Sequence, residues 1–362
     1  MVLPSPSRTN FSIHMTTVTK CPIESPAESR QPAKKISSSQ LSSSAGGNKA
    51  VPMPARYVVV TPARNESSFI ELTISSMAAQ TVLPLKWVIV SDGSTDGTDE
   101  IVARHASLHS WIELVSLPAR PGRDFAGKVR AFNVGLERVA DISYDTIVSL
   151  DADISFDPDY FSFLLGKLEA DHGLGLVGTP FREVSGESYD YRFVSVEHVS
   201  GCCQVFRRQC FEAVGGYIPI RGGSIDHVAV ITARMKGWKT RTFTEMYSTH
   251  HRPIGTANHS VTTAKFRMGL KDYAIGNHPL WELCRVAHQM TKPPLCIGGV
   301  CLGTGYLWGL LRRAKRPVSR ELIEFHQREQ IRRLRTFLQR GARFFKPAPK
   351  AGAPNMGQGQ AD

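Results

Sequence analysis

Two carboxylates, Asp151 and Asp153, stand one residue apart at the end of the apolar run 146–150. Carboxylate oxygens are hard ligands, so the pair suits a divalent cation, Mn2+ or Mg2+, set against a polyphosphate. Side chains alternate along a strand, but a bend at its end lets both acids converge. Alone, Asp-x-Asp has little specificity, because solvated loop acids give the same spacing. Two further polar turns accompany it, Pro-Ala-Arg-Asn-Glu at 62–66 and Ser-Asp-Gly-Ser-Thr-Asp-Gly-Thr at 91–98, each directly after an apolar run. Asp92 in the second turn suits hydrogen bonds from a pyrimidine base edge or a ribose hydroxyl. An ordinary Asp/Gly turn with a helix cap has the same composition.

The elements that must position these turns follow from periodicity. The runs 57–61 and 86–90 are β-branched and continuous, as strands buried on both faces are. Helical patterns cover 68–79, 99–105 and 128–139, with a third strand predicted at 112–117 and a fourth before Asp151. Strands alternating with helices predict an α/β fold with a parallel sheet. Ligands of such sheets sit at the carboxyl ends of the strands, and the three polar turns share that edge.

With 362 residues the chain can hold one large α/β domain and an appendage. Its net charge of +12 favours anionic partners, and twelve Lys/Arg against three Glu fall within 312–346. Residues 1–50, rich in Ser, Pro and Thr, and 341–362 read as disordered tails around a domain at 51–275 and a membrane-associating region at 276–340. Seven cysteines show no paired ligand spacing, which favours free thiols in a reducing compartment, and the N-terminus has no apolar run of signal-peptide type.

The stretch 293–311 is 19 residues without a charge, at the lower limit for a membrane span, yet it holds Pro293, Pro294 and five glycines. A crossing from a cytosolic domain would translocate the cationic flank, so an interfacial or re-entrant segment fits better. Burial inside the domain stays open. From Ser319 a basic helix carries Ile331, Leu334 and Leu338 on one side, reading either as a membrane-surface element or as a helix docked on the domain.

Taken together, the turns at 62–66 and 91–98, Gly127-Lys128 with Asn133-x-Gly135-Leu136, and Asp151-Ala152-Asp153 resemble the bacterial-type, membrane-associated family 2 inverting glycosyltransferases of the GT-A fold, over roughly 56–275. The resemblance implies a Rossmann-like mixed sheet flanked by helices, with a C-terminal helical, membrane-associating appendage. It implies metal-dependent transfer from a nucleotide-sugar, a UDP-sugar above all, to a lipid-linked or glycan acceptor at the cytoplasmic face of an anionic membrane. Nucleic acid is not an expected partner. By the same resemblance Asp92 meets the base, and Thr61, Ala63 and Glu66 line its pocket. Lys128 meets donor phosphates or ribose, or is simply solvated. Asp151 and Ala152 lie along the donor, Asp151 reaching ribose or metal, and Asp153 ligates the metal.

Inverting transfer also needs a carboxylate to take the acceptor hydroxyl proton. The family carries Glu-Asp at that position. This chain has Ile225-Asp226, which leaves Asp226 as the base and changes its surroundings, with a helix cap as the competing role. His250 and His251 fall where the family places a third metal ligand, and only one of the two is needed. A nucleotidyltransferase would use the same carboxylates but calls for a Gly-rich basic loop after the first strand, where 62–66 stands instead. A non-enzymatic membrane- or nucleic-acid-binding scaffold suits the charge but has no aromatic-interleaved strand.

Overall fold

The computed structural model describes residues 56–120, 125–184, 195–252 and 261–344, with side chains through 339. The first half runs β1 (Tyr57–Ala63), α1 (Ile70–Ala78), β2 (Lys86–Asp92), α2 (Thr98–Leu108), β3 (Ile112–Leu117), α3 (Phe125–Glu137) and β4 (Thr146–Leu150). It continues through β5 (Ile154–Phe156), α4 (Tyr160–Ala170), β6 (Leu174–Gly178), β7 (Phe181–Glu183) and β8 (Cys203–Arg207). After α5 (Arg208–Val214) and α6 (Ile225–Met235) come the short strands β9 (Lys239–Thr242) and β10 (Ser248–His250). Four helices close the described chain: α7 (Val261–Ala274), α8 (Pro279–Met290), α9 (Ile297–Leu311) and α10 (Arg320–Phe344).

The large sheet has the order β3-β2-β1-β4-β8-β6-β9. Strands β1 to β4 are parallel, and β8 runs antiparallel between β4 and β6. Alternation along each central strand builds two cores. Tyr57, Val59, Trp87, Ile89 and Val148 pack on one face, while Val58, Val60, Val88, Val90 and Ile147 pack on the other. Each such burial is worth roughly 1.5–3 kcal/mol, and a one-residue slip would exchange the two sets, so the register is strongly specified. The strand order turns around at β1, which has β2 on one side and β4 on the other. That switch point opens a crevice at the carboxyl edge.

A second sheet, β5-β10-β7, is absent from the sequence reading because each strand has only three residues. It pairs His250 with Ile154, carrying a residue nearly a hundred positions downstream back to the Asp-x-Asp turn.

The C-terminal region decides between readings left open by the sequence. The charge-free stretch 293–311 divides into a turn and the 15-residue α9, and no described helix is long and apolar enough to cross a membrane. One face of α9 is buried on α7, with Gly269 and Gly305 at the contact. A Cβ at either would stand 2.0 Å from a carbonyl oxygen of the facing helix, so the backbones meet directly. The basic helix α10 is docked, and its buried positions are Leu322, His326, Glu329 and Gln330 rather than the side bearing Leu338, which is exposed. A polar face can be buried here because Glu329 pairs with Arg234 on α6 at 2.9 Å, and Gln330 bonds the turn before α8. The helix also continues to Phe344, so the first residues of the predicted tail 341–362 are helical; the remainder, and residues 1–50, lie outside the described residues.

Candidate active site

Asp92 is the last residue of β2 and is buried. The Arg120 guanidinium donates to both of its oxygens, with Nε at 2.9 and 3.0 Å, and Arg64 lies 3.5 Å away. Arg64 also donates to the Arg120 carbonyl at 2.8 Å. This arginine pair was missed from the sequence; the signal was Arg64 inside the first turn and a basic residue just after β3. Loops 65–67 and 94–98 are laced together. Ser94 accepts from the Asn65 amide, Asn65 accepts from Thr95, Thr98 accepts from the Glu66 amide, and Asp96 accepts from Ser67. Two turns distant in sequence thus form one rim beside Asp92, and the helix α2 that follows opens after Gly97 with no side-chain cap.

Asp151 and Asp153 follow β4, flanking Ala152, whose carbonyl accepts from Thr73 at 2.9 Å. Asp151 forms an ion pair with Lys128 on α3. Burial pushes the Asp151 carboxyl upward, and the neighbouring Asp153 charge adds to that against the pull of Lys128. Burial would lower the Lys128 ammonium, yet Asp151 at contact, with Asp226 and Asp153 nearby, holds it above its ordinary value. Lys128 is therefore an ion-paired member of the site, not a solvated surface lysine.

His250 Nε2 stands 3.6 Å from Asp153, and ligand atoms of Asp151, Asp153 and His250 all lie within 4.8 Å of one another. The His250 Nδ1 hydrogen-bonds the Arg252 carbonyl, which fixes the tautomer and leaves Nε2 as the lone-pair nitrogen toward the acids. Two carboxylates and one imidazole are a donor set that fits Mn2+ or Mg2+, with other positions left for water or phosphate oxygens. Arg252 completes the corner, pairing Glu66 and approaching Asp153 at 3.3 Å.

Five of the expected site residues are placed differently. His251, named as a metal ligand, stands outside the cluster: its ring faces Ser155 at 2.8 Å and stacks on Phe69, because adjacent positions at a strand end point to opposite sides. Thr61 turns into the core, where its hydroxyl accepts from the Trp87 indole at 2.9 Å. Ala63 and Ala152 pack in the same core, so neither methyl lines the crevice. Glu66 is buried and serves as the partner of Arg252.

Asp226 lies in the first turn of α6, against Gly201, where a Cβ would come within 2.7 Å of its carboxylate. The helix follows Ser224, whose φ of +67° turns the chain into it, and no side chain caps its first amides. Asp226 borders a water-sized cavity with Lys128, Ser149, Gln204 and Tyr217. Tyr217 donates to Gln204 at 2.7 Å, and Gln204 in turn donates to the Asp226 carbonyl at 3.4 Å. These two supports were not foreseen; no pattern in the sequence marks a buried Gln and Tyr on separate elements. Cys202 and Cys203 are buried thiols, Cys202 pushed up to about 12 by burial, which suits packing and not redox work.

The family model of "Glycosyl transferase family 2" matches residues 58–200, the stretch that contains the paired rim and the Asp-x-Asp turn. Residues 58–200 thus carry a glycosyltransferase family 2 region. The poly-beta-1,6-N-acetyl-D-glucosamine synthases of Staphylococcus aureus and Staphylococcus epidermidis are 32% and 30% identical to the chain over 117 residues. That alignment covers 32% of this chain and 26% of theirs, so the chain spans about a quarter of the length of the curated relatives it matches. Among solved structures, the mannosyltransferase PcManGT of Pyrobaculum calidifontis, in complex with GDP-Man and Mn2+, matches with a TM-score of 0.50 at 19% identity and 81% coverage of both chains. The shared architecture is the GT-A fold, a parallel-rich mixed sheet flanked by helices.

Proposed function

We propose that this family 2 protein moves a sugar from a nucleotide-sugar, a UDP-sugar above all, to a hydroxyl of a lipid-linked or otherwise hydrophobic acceptor at the cytoplasmic membrane face, with inversion at the anomeric carbon. The observation that carries this reading is the Asp151, Asp153 and His250 cluster at the edge that also bears Asp92, linked through Lys128 to the pocket of Asp226. The names of the curated relatives make UDP-N-acetylglucosamine the first donor to test.

On this reading Asp92 and the laced rim hold the nucleoside. Arg64 and Arg120, now engaged with Asp92, supply cations beside it, and Lys128 and Arg252 bracket the acidic cluster. A divalent ion held by Asp151, Asp153 and His250 would offset the charge on the departing diphosphate. Asp226 takes the proton of the acceptor hydroxyl as its oxygen bonds to the anomeric carbon. The anomeric carbon–phosphate oxygen bond breaks in the same displacement, and the nucleoside diphosphate leaves with the electron pair. Gln204, bonded to the Asp226 backbone and braced by Tyr217, keeps the base aimed at the cavity.

Calorimetric titration of UDP and GDP, with Mn2+ and then with EDTA, tests the donor half. UDP binding that requires the metal and disappears in Asp153→Ala supports it. No binding of either nucleotide to the folded protein overturns it. Release of UDP from UDP-sugars on adding membrane lipid extract then tests the acceptor half.

A further inference from the structure

We propose that the outward face of α9 is a docking surface for an anionic lipid bilayer, with the helix lying in the plane of one leaflet. The proposal deepens the membrane-acceptor reading above, on which its biological sense rests, but its support comes from the surface itself. Ile297, Val300, Thr304, Leu307, Trp308 and Leu311 are all exposed. Their spacing of three, four, three, one and three residues puts them along one side of a helix. The opposite side is fully committed: Leu302, Gly305 and Gly309 face α7, and Gly299 meets Val286 and Met290 of α8. Rotation cannot hide the stripe, because glycine contact leaves no room for another face against α7.

Charge identifies the occupant. No acidic residue occurs from Leu283 to Arg320, whereas Lys292 precedes the stripe and Arg312, Arg313 and Lys315 follow it. The Arg312 guanidinium sits over the Trp308 ring, 4.4 Å from its centroid. An apolar band with an amphipathic Trp, bounded only by cations, complements acyl chains below an anionic headgroup layer. At 15 residues α9 is about 22 Å long, short of the ~30 Å hydrocarbon core, so it lies in the interface and does not cross it.

The same contacts connect docking to chemistry. The helix α7 that carries α9 through Gly269 also presents Lys271, whose Nζ is 3.2 Å from where a Cβ on Gly223 would stand, three residues before Asp226. Burial lowers the Lys271 ammonium while Asp226 raises it, which places the two groups within electrostatic reach. One helix thus lies between the docked surface and the turn that leads into Asp226.

The test is flotation of the full chain with phosphatidylcholine vesicles, with and without phosphatidylglycerol, alongside the UDP–Mn2+ titration as a measure of the fold. Wild type is expected to float with the anionic vesicles, and brominated acyl chains should quench a tryptophan signal that Trp308→Phe removes. Val300→Glu, Leu307→Glu and Leu311→Glu together should cut the bound fraction at least about tenfold while UDP binding is unchanged. Flotation of this triple variant like wild type overturns the proposal, as does wild type that stays with the soluble fraction. A wild-type dimer in light scattering that the triple variant converts to monomer also overturns it, assigning the face to a second copy. Normal flotation without UDP binding would instead sink the donor reading and leave the docking surface standing.

Discussion

At the carboxyl edge of the large sheet, charged side chains hold one another: Asp92 with Arg120 and Arg64, Asp151 with Lys128, Asp153 with Arg252. In the layer of α7 and α9 the opposite holds, since bare backbone meets bare backbone at Gly269 and Gly305 and the outward side is apolar. The edge stores its capability in electrostatics. Each charge there is desolvated and tolerated because a partner stands beside it, so deleting one member leaves the other uncompensated. The helical layer stores its capability in shape. A single added carbon at Gly269 or Gly305 would push its members apart, whereas charge changes on the exposed outer side should leave the fold intact. Substitutions at the edge should therefore abolish chemistry first, and those in the layer should loosen structure first.

The sharpest way to break this contrast is Asp153→Ala. Loss of the acid that faces both His250 and Arg252 should lower kcat/KM roughly a thousandfold, the scale seen when a group stabilising transition-state charge is removed. Thermal stability should move less, because Arg252 keeps its ion pair with Glu66. Steady-state UDP release with UDP-N-acetylglucosamine measures the first, and a melting curve the second. A variant that melts far earlier yet retains turnover would reverse the contrast. Asp226→Asn comes next, with kcat expected to fall about 10²- to 10⁴-fold while the UDP–Mn2+ affinity stays as in wild type, because the proposed proton acceptor lies on α6, outside the rim beside Asp92. Equal losses in affinity and kcat would return Asp226 to the role of a helix residue.

The two histidines sharpen the edge further. His250→Ala should weaken metal-dependent UDP binding about 10- to 100-fold, while His251→Ala should leave it within a factor of a few, since His251 points to Ser155. Calorimetry over a Mn2+ series separates the two. In the helical layer, Gly305→Ala pushes a methyl toward the Phe266 carbonyl and should destabilise the protein by about 1–3 kcal/mol in urea denaturation. UDP affinity at low denaturant should hold, which is the inverse of the Asp153 result.

Legibility in the sequence followed the same division. The β-branched runs at 57–61 and 86–90, with their polar turns, marked the strands and their carboxyl edge because buried parallel strands leave a strong periodic trace. The Asp-x-Asp turn and Asp226 were visible as residue types at strand and helix boundaries. What could not be read depends on contacts between distant segments. The three-residue strand β10 is too short for any period, so nothing told His250 from His251 until its pairing with β5 turned one toward Asp153. Thr61 and Ala63 belong to the same run as the site, yet the crossing of Trp87 draws the threonine inward. The polar buried face of α10 defeats hydropathy reasoning altogether, since its partners Arg234 and Asn277 come from elsewhere in the chain.

That polar face is also where the two regions join, and it supplies the smallest of the expected effects. His326 on α10 is buried, meets the His227 ring beside Asp226 in an edge-on contact at 5.7 Å, and shares a hydrogen-bond network with Asn277 and Gln330. Burial, with Arg234, Arg333 and Arg285 nearby, lowers its imidazole to about 3. Between that value and the ordinary 6.5 the unfolded chain binds a proton that the folded chain refuses, so stability is full above pH 6.5 and is lost as pH falls through the window. Asp272, in the same layer, works with the opposite sign. Burial, with Glu282 adding to it, raises the carboxyl to about 7 despite its ion pair with Arg285, so its contribution declines as pH rises from about 4 to 7. The two partly offset each other in wild type, and single substitutions unmask them. His326→Gln should flatten the acid loss by at most one proton, about 1.4 kcal/mol per pH unit, and Asp272→Asn should steepen the net dependence on acid. Urea denaturation from pH 4 to 7 reads both slopes. Parallel slopes in wild type and His326→Gln would mean that the junction is open to water and that folded His326 takes up its proton as the unfolded chain does. A flattened slope would instead show that the buried junction of α10 and α6 excludes the proton.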